Sequence, residues 1–128
     1  MTIRILIIDD EKDLSRTVSD YLEDVCGYET ELADSAEEGL EKCASLQPAI
    51  CIVDMHLPGM DGNEFIQKAH TKVPDCKFIV HTGAIDYTLS EELQIIGVTK
   101  DAIIHKPAFN LSDFSDKIKA LLSCSPNR

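Results

Sequence analysis

Along the chain, short apolar runs of strand length alternate with longer stretches in which apolar residues recur every three or four positions. Ile3–Ile8 is nearly continuous and rich in β-branched residues, the pattern of a strand covered on both faces. After Asp9 and Asp10, Leu14, Val18, Leu22 and Val25 fall at helical spacing between charged residues, and Gly27 follows as a stop signal. Tyr28–Leu32 predicts a second, more polar strand. Ser35 with Glu38 makes a capping-box pattern that opens a helix carrying Leu40 and Ala44, and Pro48 bars its continuation. Ala49–Val53 is a third strand closed by Asp54, with Phe65, Ile66 and Ala69 marking a helix after the Pro58-Gly59 turn. Phe78–Val80 predicts a fourth strand ending at Thr82, and Leu89, Leu93 and Ile96 predict a helix over Asp86–Ile96. Ala102–Ile104 is a brief fifth strand ending at Lys106, and Phe114, Ile118, Leu121 and Leu122 mark a final amphipathic helix.

Parallel neighbours need crossover connections of about this length, so five strand-then-helix units imply an α/β fold: a doubly wound, five-stranded parallel sheet with helices on both faces. A chain of 128 residues has the size of one domain, and residues 1–128 read as a single one, without repeat or linker. Acidic residues outnumber basic ones by 23 to 12, which disfavours non-specific attraction to nucleic acid or anionic lipid. Cys26, Cys43, Cys51, Cys76 and Cys124 show neither paired metal-site spacing nor a disulfide framework, so reduced thiols in a cytoplasmic protein are expected. The N-terminus offers neither a signal peptide nor a membrane span.

In open α/β sheets ligands collect beyond the carboxyl ends of the strands. Asp9 and Asp10 end the first strand, Asp54 the third, Thr82 the fourth and Lys106 the fifth, so residues remote in sequence converge on one cleft. Clustered carboxylates repel one another unless a cation neutralises them, and oxygen ligands suit a hard ion such as Mg²⁺ (or Mn²⁺) rather than zinc or copper. A carboxylate is also a competent nucleophile in phosphoryl transfer, where catalysis is mostly positioning and charge neutralisation.

Asp9-Asp10, then Asp54-Met55-His56-Leu57-Pro58-Gly59-Met60-Asp61-Gly62, then His81-Thr82-Gly83 and His105-Lys106-Pro107 together resemble response-regulator receiver domains of two-component systems. Each piece is weak alone. In this order, each directly after a predicted strand, they form a highly specific set covering nearly the whole chain. The resemblance implies the flavodoxin-like (βα)5 arrangement and a regulatory phosphoacceptor domain that catalyses its own phosphotransfer and autodephosphorylation and signals by a conformational change. It makes Asp54 the phosphorylated aspartate, Asp10 a direct metal ligand, Asp9 a ligand mainly through water, and the main-chain carbonyl of His56 the completion of the metal site with Asp54. Thr82 becomes the hydroxyl that turns toward the phosphoryl group, Lys106 the ammonium that pairs with its oxygens, and Pro107 the residue that fixes the Lys106 turn, usually through a cis peptide. The His56 side chain, Ala84, Ile103 and Pro107 are the expected modulating positions. The implied donors are a phosphohistidine on a sensor histidine kinase or a histidine phosphotransfer protein, with small acyl phosphates as substitutes. The downstream effector is left open.

Other readings compete. Asp9-Asp10 alone would suit the first turn of a helix, where carboxylates complement the dipole. Lys106 alone would be a solvated lysine and Thr82 a strand-end hydroxyl; it is their joint placement that promotes them. Gly62 is read as part of a turn, and His81 and His105 as alternating away from the cleft. An aspartate-nucleophile phosphatase would usually carry a second aspartate where His56 stands. A nucleotide-binding relative would want a glycine-rich loop where Asp9-Asp10-Glu11 stands. A pseudo-receiver acting only as an interaction module would be expected to lack some of the acidic, threonine or lysine positions. Two departures from the receiver pattern matter: Ile103 replaces the usual aromatic three residues before the lysine, and Gly83–Asp101, commonly the output surface, is irregular.

Overall fold

The computed structural model describes residues 2–107 and 110–123. Its elements run β1 (Arg4–Ile8), α1 (Lys12–Asp24), β2 (Glu29–Ala33), α2 (Ala36–Leu46), β3 (Ile50–Asp54), α3 (Gly62–Lys72), β4 (Lys77–Thr82), α4 (Glu91–Ile96), β5 (Ile103–His105) and α5 (Ser112–Ser123), with a 3₁₀ turn at Lys100–Ala102. The strands form one parallel sheet in the order β2-β1-β3-β4-β5. After β2 the chain returns past β1 to build the other half of the sheet. The crevice where strand order reverses therefore opens between the carboxyl ends of β1 and β3, which carry Asp9 and Asp54.

The period-two alternation of strand side chains sorts the apolar runs into two cores. Ile5, Ile7, Ile50, Ile52 and Ile79 meet Val18 and Leu22 of α1 and Phe114 and Ile118 of α5. Leu6, Ile8, Cys51, Val53, Phe78 and Val80 meet α2, α3 and α4 through Cys43, Phe65, Ile66 and Leu93. Both faces of β1 and β3 are thus covered, which is why those strands read as unbroken apolar runs.

Local signals set most boundaries. Ser35 accepts the Glu38 N–H, while Glu38 takes the Asp34 N–H rather than that of Ser35, a one-residue variant of the expected capping box. Helix α2 stops at Leu46, with Gln47 left-handed, one residue before Pro48 can act. Ala44 is exposed, while Leu40 is half-buried against the core beside the buried Ala36, Gly39 and Cys43 of α2. Val25 lies past the end of α1 and is exposed, because Gly27 and Tyr28 turn the chain by bonding back to Glu23 and Leu22. The helix expected over Asp86–Ile96 begins only at Glu91: Ser90 accepts the Leu93 N–H and fixes the start there. Ala102 belongs to the 3₁₀ turn rather than to the fifth strand. Among the described residues Cys26, Cys43, Cys51 and Cys76 are free thiols; Cys124 lies outside them.

Gly62 is the first residue of α3 and not a turn residue. A Cβ there would stand 2.8 Å from the Asp54 carbonyl oxygen and 2.8 Å from the Met55 Cα. These are main-chain atoms at the end of β3 and cannot step aside cheaply. Gly62→Ala is expected to lower unfolding free energy by roughly 1–3 kcal/mol, read by urea denaturation. An unchanged midpoint would contradict the close-approach account.

Candidate functional site at the carboxyl ends of the strands

Where β1 ends, Asp9 keeps its main chain in the sheet through a 3.0 Å bond from its N–H to Ala33. Its carboxylate then accepts the Glu11 N–H at 2.9 Å. This Asx-type turn rolls the chain over, placing Asp10 at the exposed apex and returning the Glu11 side chain over the cleft. At the end of β3 the same device recurs, with Asp54 Oδ1 accepting the His56 N–H at 3.1 Å and the His56 side chain left exposed.

Three carboxylates gather around one ammonium. Lys106 Nζ lies 2.6 Å from Glu11 Oε1, 3.0 Å from Asp9 Oδ2 and 3.5 Å from Asp54 Oδ2. Asp9 and Asp54 are each only 4 % exposed, so their charge depends on these partners. Burial raises the Asp9 pKa, against the pull of the Glu11 N–H and Lys106. Glu11, mostly in solvent, is lowered by its bond to Lys106. Burial alone would lower Lys106, but the bonds to Glu11 and Asp9 and the nearby negative charge outweigh it and leave the ammonium raised.

One oxygen from each of Asp9, Glu11 and Asp54 lies within 4.8 Å of the others. This all-oxygen set fits a hard divalent cation, and the group contains neither sulfur nor imidazole. The sequence reading paired Asp9 with Asp10 here. The structure brings in Glu11, and Asp10 is outside the group. Glu11 was legible only as the acid two residues after a strand-ending Asp, the position whose N–H closes an Asx turn.

Thr82 is fully buried, and its Oγ1 accepts the Ala84 N–H at 3.1 Å. The Lys106 N–H donates to the Thr82 carbonyl at 2.7 Å, which ties the hydroxyl-bearing and ammonium-bearing residues across β4 and β5. The Lys106–Pro107 peptide is cis. Ala84 and Ile103 are half-buried, and Pro107 and His105 are exposed.

His81 is 2 % exposed, its ring edge-on to Phe114 of α5 at 5.0 Å, and its Nε2 has no hydrogen-bond partner. Burial, reinforced by Lys106, pushes its pKa down to about 4. Above the ordinary histidine range the ring is neutral whether the chain is folded or not. As pH falls from 6.5 toward 4 the unfolded chain takes a proton that the folded one refuses, and stability is lost. Between pH 7 and pH 5, His81→Leu should therefore lose about 2 kcal/mol less stability than the parent chain, measured by denaturant titration. Equal losses would mean that His81 is not the acid-sensitive group.

The response regulator receiver domain family model matches residues 5–119. Response regulator MprA of Mycobacterium ulcerans is 31% identical over 122 residues, covering 95% of this chain and 51% of that protein. Response regulator GacA of Pseudomonas viridiflava is 38% identical over 82 residues, 62% of this chain and 38% of that one. The chain thus spans about half the length, or less, of these curated relatives. Among solved structures, a CheY-like response regulator receiver domain protein from Methanospirillum hungatei superposes with TM-score 0.82 at 36% identity, covering 96% of this chain and 95% of that one. A two-component response regulator from Clostridium difficile gives TM-score 0.84 at 25% identity, covering 96% and 98%. With the family model spanning most of the chain and the five-stranded parallel architecture matching throughout, this chain belongs to the response regulator receiver domain family.

Proposed function

We propose that residues 1–128 act as one phosphoacceptor unit in which Asp54 takes a phosphoryl group from a phosphohistidine. The observation that carries this reading is the pair of nearly buried carboxylates, Asp9 and Asp54, at the ends of adjacent strands with the Lys106 ammonium between them. Asp54 Oδ2 attacks phosphorus, the phosphorus–nitrogen bond breaks, and its electron pair leaves on the imidazole of the donor. An aspartyl phosphate results, and water later hydrolyses it. Lys106 leaves Asp9 and Glu11 to neutralise a phosphoryl oxygen, and the Thr82 hydroxyl gives up its present contact with the Ala84 N–H to donate to another.

Asp9, Asp10, Asp54 and the main-chain carbonyl of His56 would hold Mg²⁺ (or Mn²⁺), which supplies charge neutralisation at the phosphoryl oxygens. For Asp10 this requires its exposed carboxylate to turn inward toward Asp9 and Asp54. The exposed side chain of His56, with Ala84 and Pro107 on the rim, modulates how readily water reaches the phosphoryl group. The donor is a sensor histidine kinase or a histidine phosphotransfer protein. The acidic surface fits a protein that works in the cytoplasm through protein partners rather than through nucleic acid or lipid. No described helix is long and apolar enough to cross a membrane.

Intact-mass analysis after incubation with acetyl phosphate and Mg²⁺ tests the proposal. A single phosphoryl adduct is expected, absent in Asp54→Ala and absent with EDTA. No adduct from acetyl phosphate or from a panel of phosphorylated histidine kinases would favour an interaction module that is not phosphorylated. In the same assay Asp10→Asn should raise the Mg²⁺ concentration for half-maximal labelling by roughly tenfold or more, as losses around metal sites commonly do. An unchanged requirement would remove Asp10 from the ligand set.

A further inference from the structure

Ile103 stands where many receivers carry the aromatic ring that follows the threonine, so a signal from Thr82 must travel through other atoms. A continuous set of contacts leads away from it. The Ala84 N–H donates to Thr82 Oγ1 at 3.1 Å, the Tyr87 N–H donates to the Ala84 carbonyl at 3.3 Å, and the Tyr87 hydroxyl donates to Asn63 Oδ1 of α3 at 3.4 Å. Tyr87 is half-buried and packs on the same core that receives Ile103 and Met60, whereas Ile85, two residues earlier, is 93% exposed. The segment between β4 and α4 thus turns one aromatic inward, directly downstream of the threonine.

The strengths of these contacts decide what gives way. When the Thr82 hydroxyl turns toward an occupied Asp54, the part-buried Ala84 N–H loses its acceptor, and an unmatched donor there is costly enough to make the segment rearrange. The next anchor along the chain is the Tyr87–Asn63 bond, long for a hydroxyl donor and therefore weak. We propose that Tyr87 serves as the mobile aromatic of this receiver, shifting between its seat against Asn63 and a second position when Thr82 engages the phosphoryl group, and so altering the α3–α4 face. The inference rests on the phosphoacceptor reading of Asp54.

One ¹⁹F NMR experiment separates the two. The chain has three tyrosines, Tyr21, Tyr28 and Tyr87, and 3-fluorotyrosine labels all of them, with Tyr87→Phe assigning the third line. Mg²⁺ with beryllium fluoride, an acyl phosphate mimic, reports occupancy of Asp54 through its own bound fluorine signals. Bound fluoroberyllate should appear together with a shift of the Tyr87 line larger than those of Tyr21 and Tyr28. In Thr82→Ala, loaded to the same bound-fluoroberyllate signal at whatever higher concentration the lost hydroxyl requires, the Tyr87 line should stay still, and Thr82→Ser, which keeps the hydroxyl, should restore the shift. Bound fluoroberyllate with an unmoved Tyr87 line, or with a Tyr87 shift as large in Thr82→Ala, would overturn the inference and leave the phosphoacceptor reading standing. No bound fluoroberyllate in the parent chain would defeat both together.

Discussion

Asp9 and Asp54 keep two carboxylates almost out of water at the ends of neighbouring strands, and the upper rim of the molecule is organised around their neutralisation. An ionised carboxylate in such a place survives only with hydrogen bonds and an opposite charge beside it. Each receives a main-chain N–H from the residue two positions on, and both share the ammonium of Lys106, delivered from β5. With Glu11 added, carboxylates outnumber the ammonium, so the site retains an appetite for positive charge after Lys106 is counted. That surplus is what a hard cation can satisfy. It also keeps Lys106 engaged with all three carboxylates.

The parts of this arrangement that were legible in the sequence are those set by period and by order. Ile3–Ile8 and Ala49–Val53 declare buried strands because helices cover both of their faces, and the residues that follow them fall at the rim by topology alone. Less legible was anything set by a single turn. Glu11 rather than Asp10 faces the cleft in this structure because one Asx turn at Asp9 decides which acid looks inward, and hydrophobic periodicity says nothing about that. The start of α4 was misplaced because Leu89 suits either a helix face or an apolar loop anchor, and the Ser90 cap arbitrates. Gly62 resembled a turn glycine until the approach of α3 to the end of β3 gave it a packing reason.

The two sheet faces differ in what they can tolerate. The face under α1 and α5 is lined largely by isoleucine, stiff at its first side-chain torsion, while the face under α2, α3 and α4 mixes valine and two isoleucines with cysteine, alanine, methionine, leucine, Phe65 and Phe78. The segment that carries Tyr87 rests on the second, more adaptable face. The rearrangement proposed to begin at Thr82 would therefore meet softer neighbours than those packed against α1 and α5.

The contact between Gly62 and the Asp54–Met55 peptide also has mechanical meaning. An eleven-residue α-helix is about 16 Å long, and α3 is seated at its first residue on the main chain that bears Asp54, with the Gly62 N–H bonded to the Met55 carbonyl at 3.1 Å. A tilt pivoted there would move the helix as a lever whose fixed end lies under the acidic cleft. Its free end is at Lys72, by the loop that leads into β4 at the opposite end of the strands from the cleft. A tilt of about 4° at the pivot would carry the far end by roughly 1 Å, a length amplified by the rise of the helix rather than by any further side-chain contact.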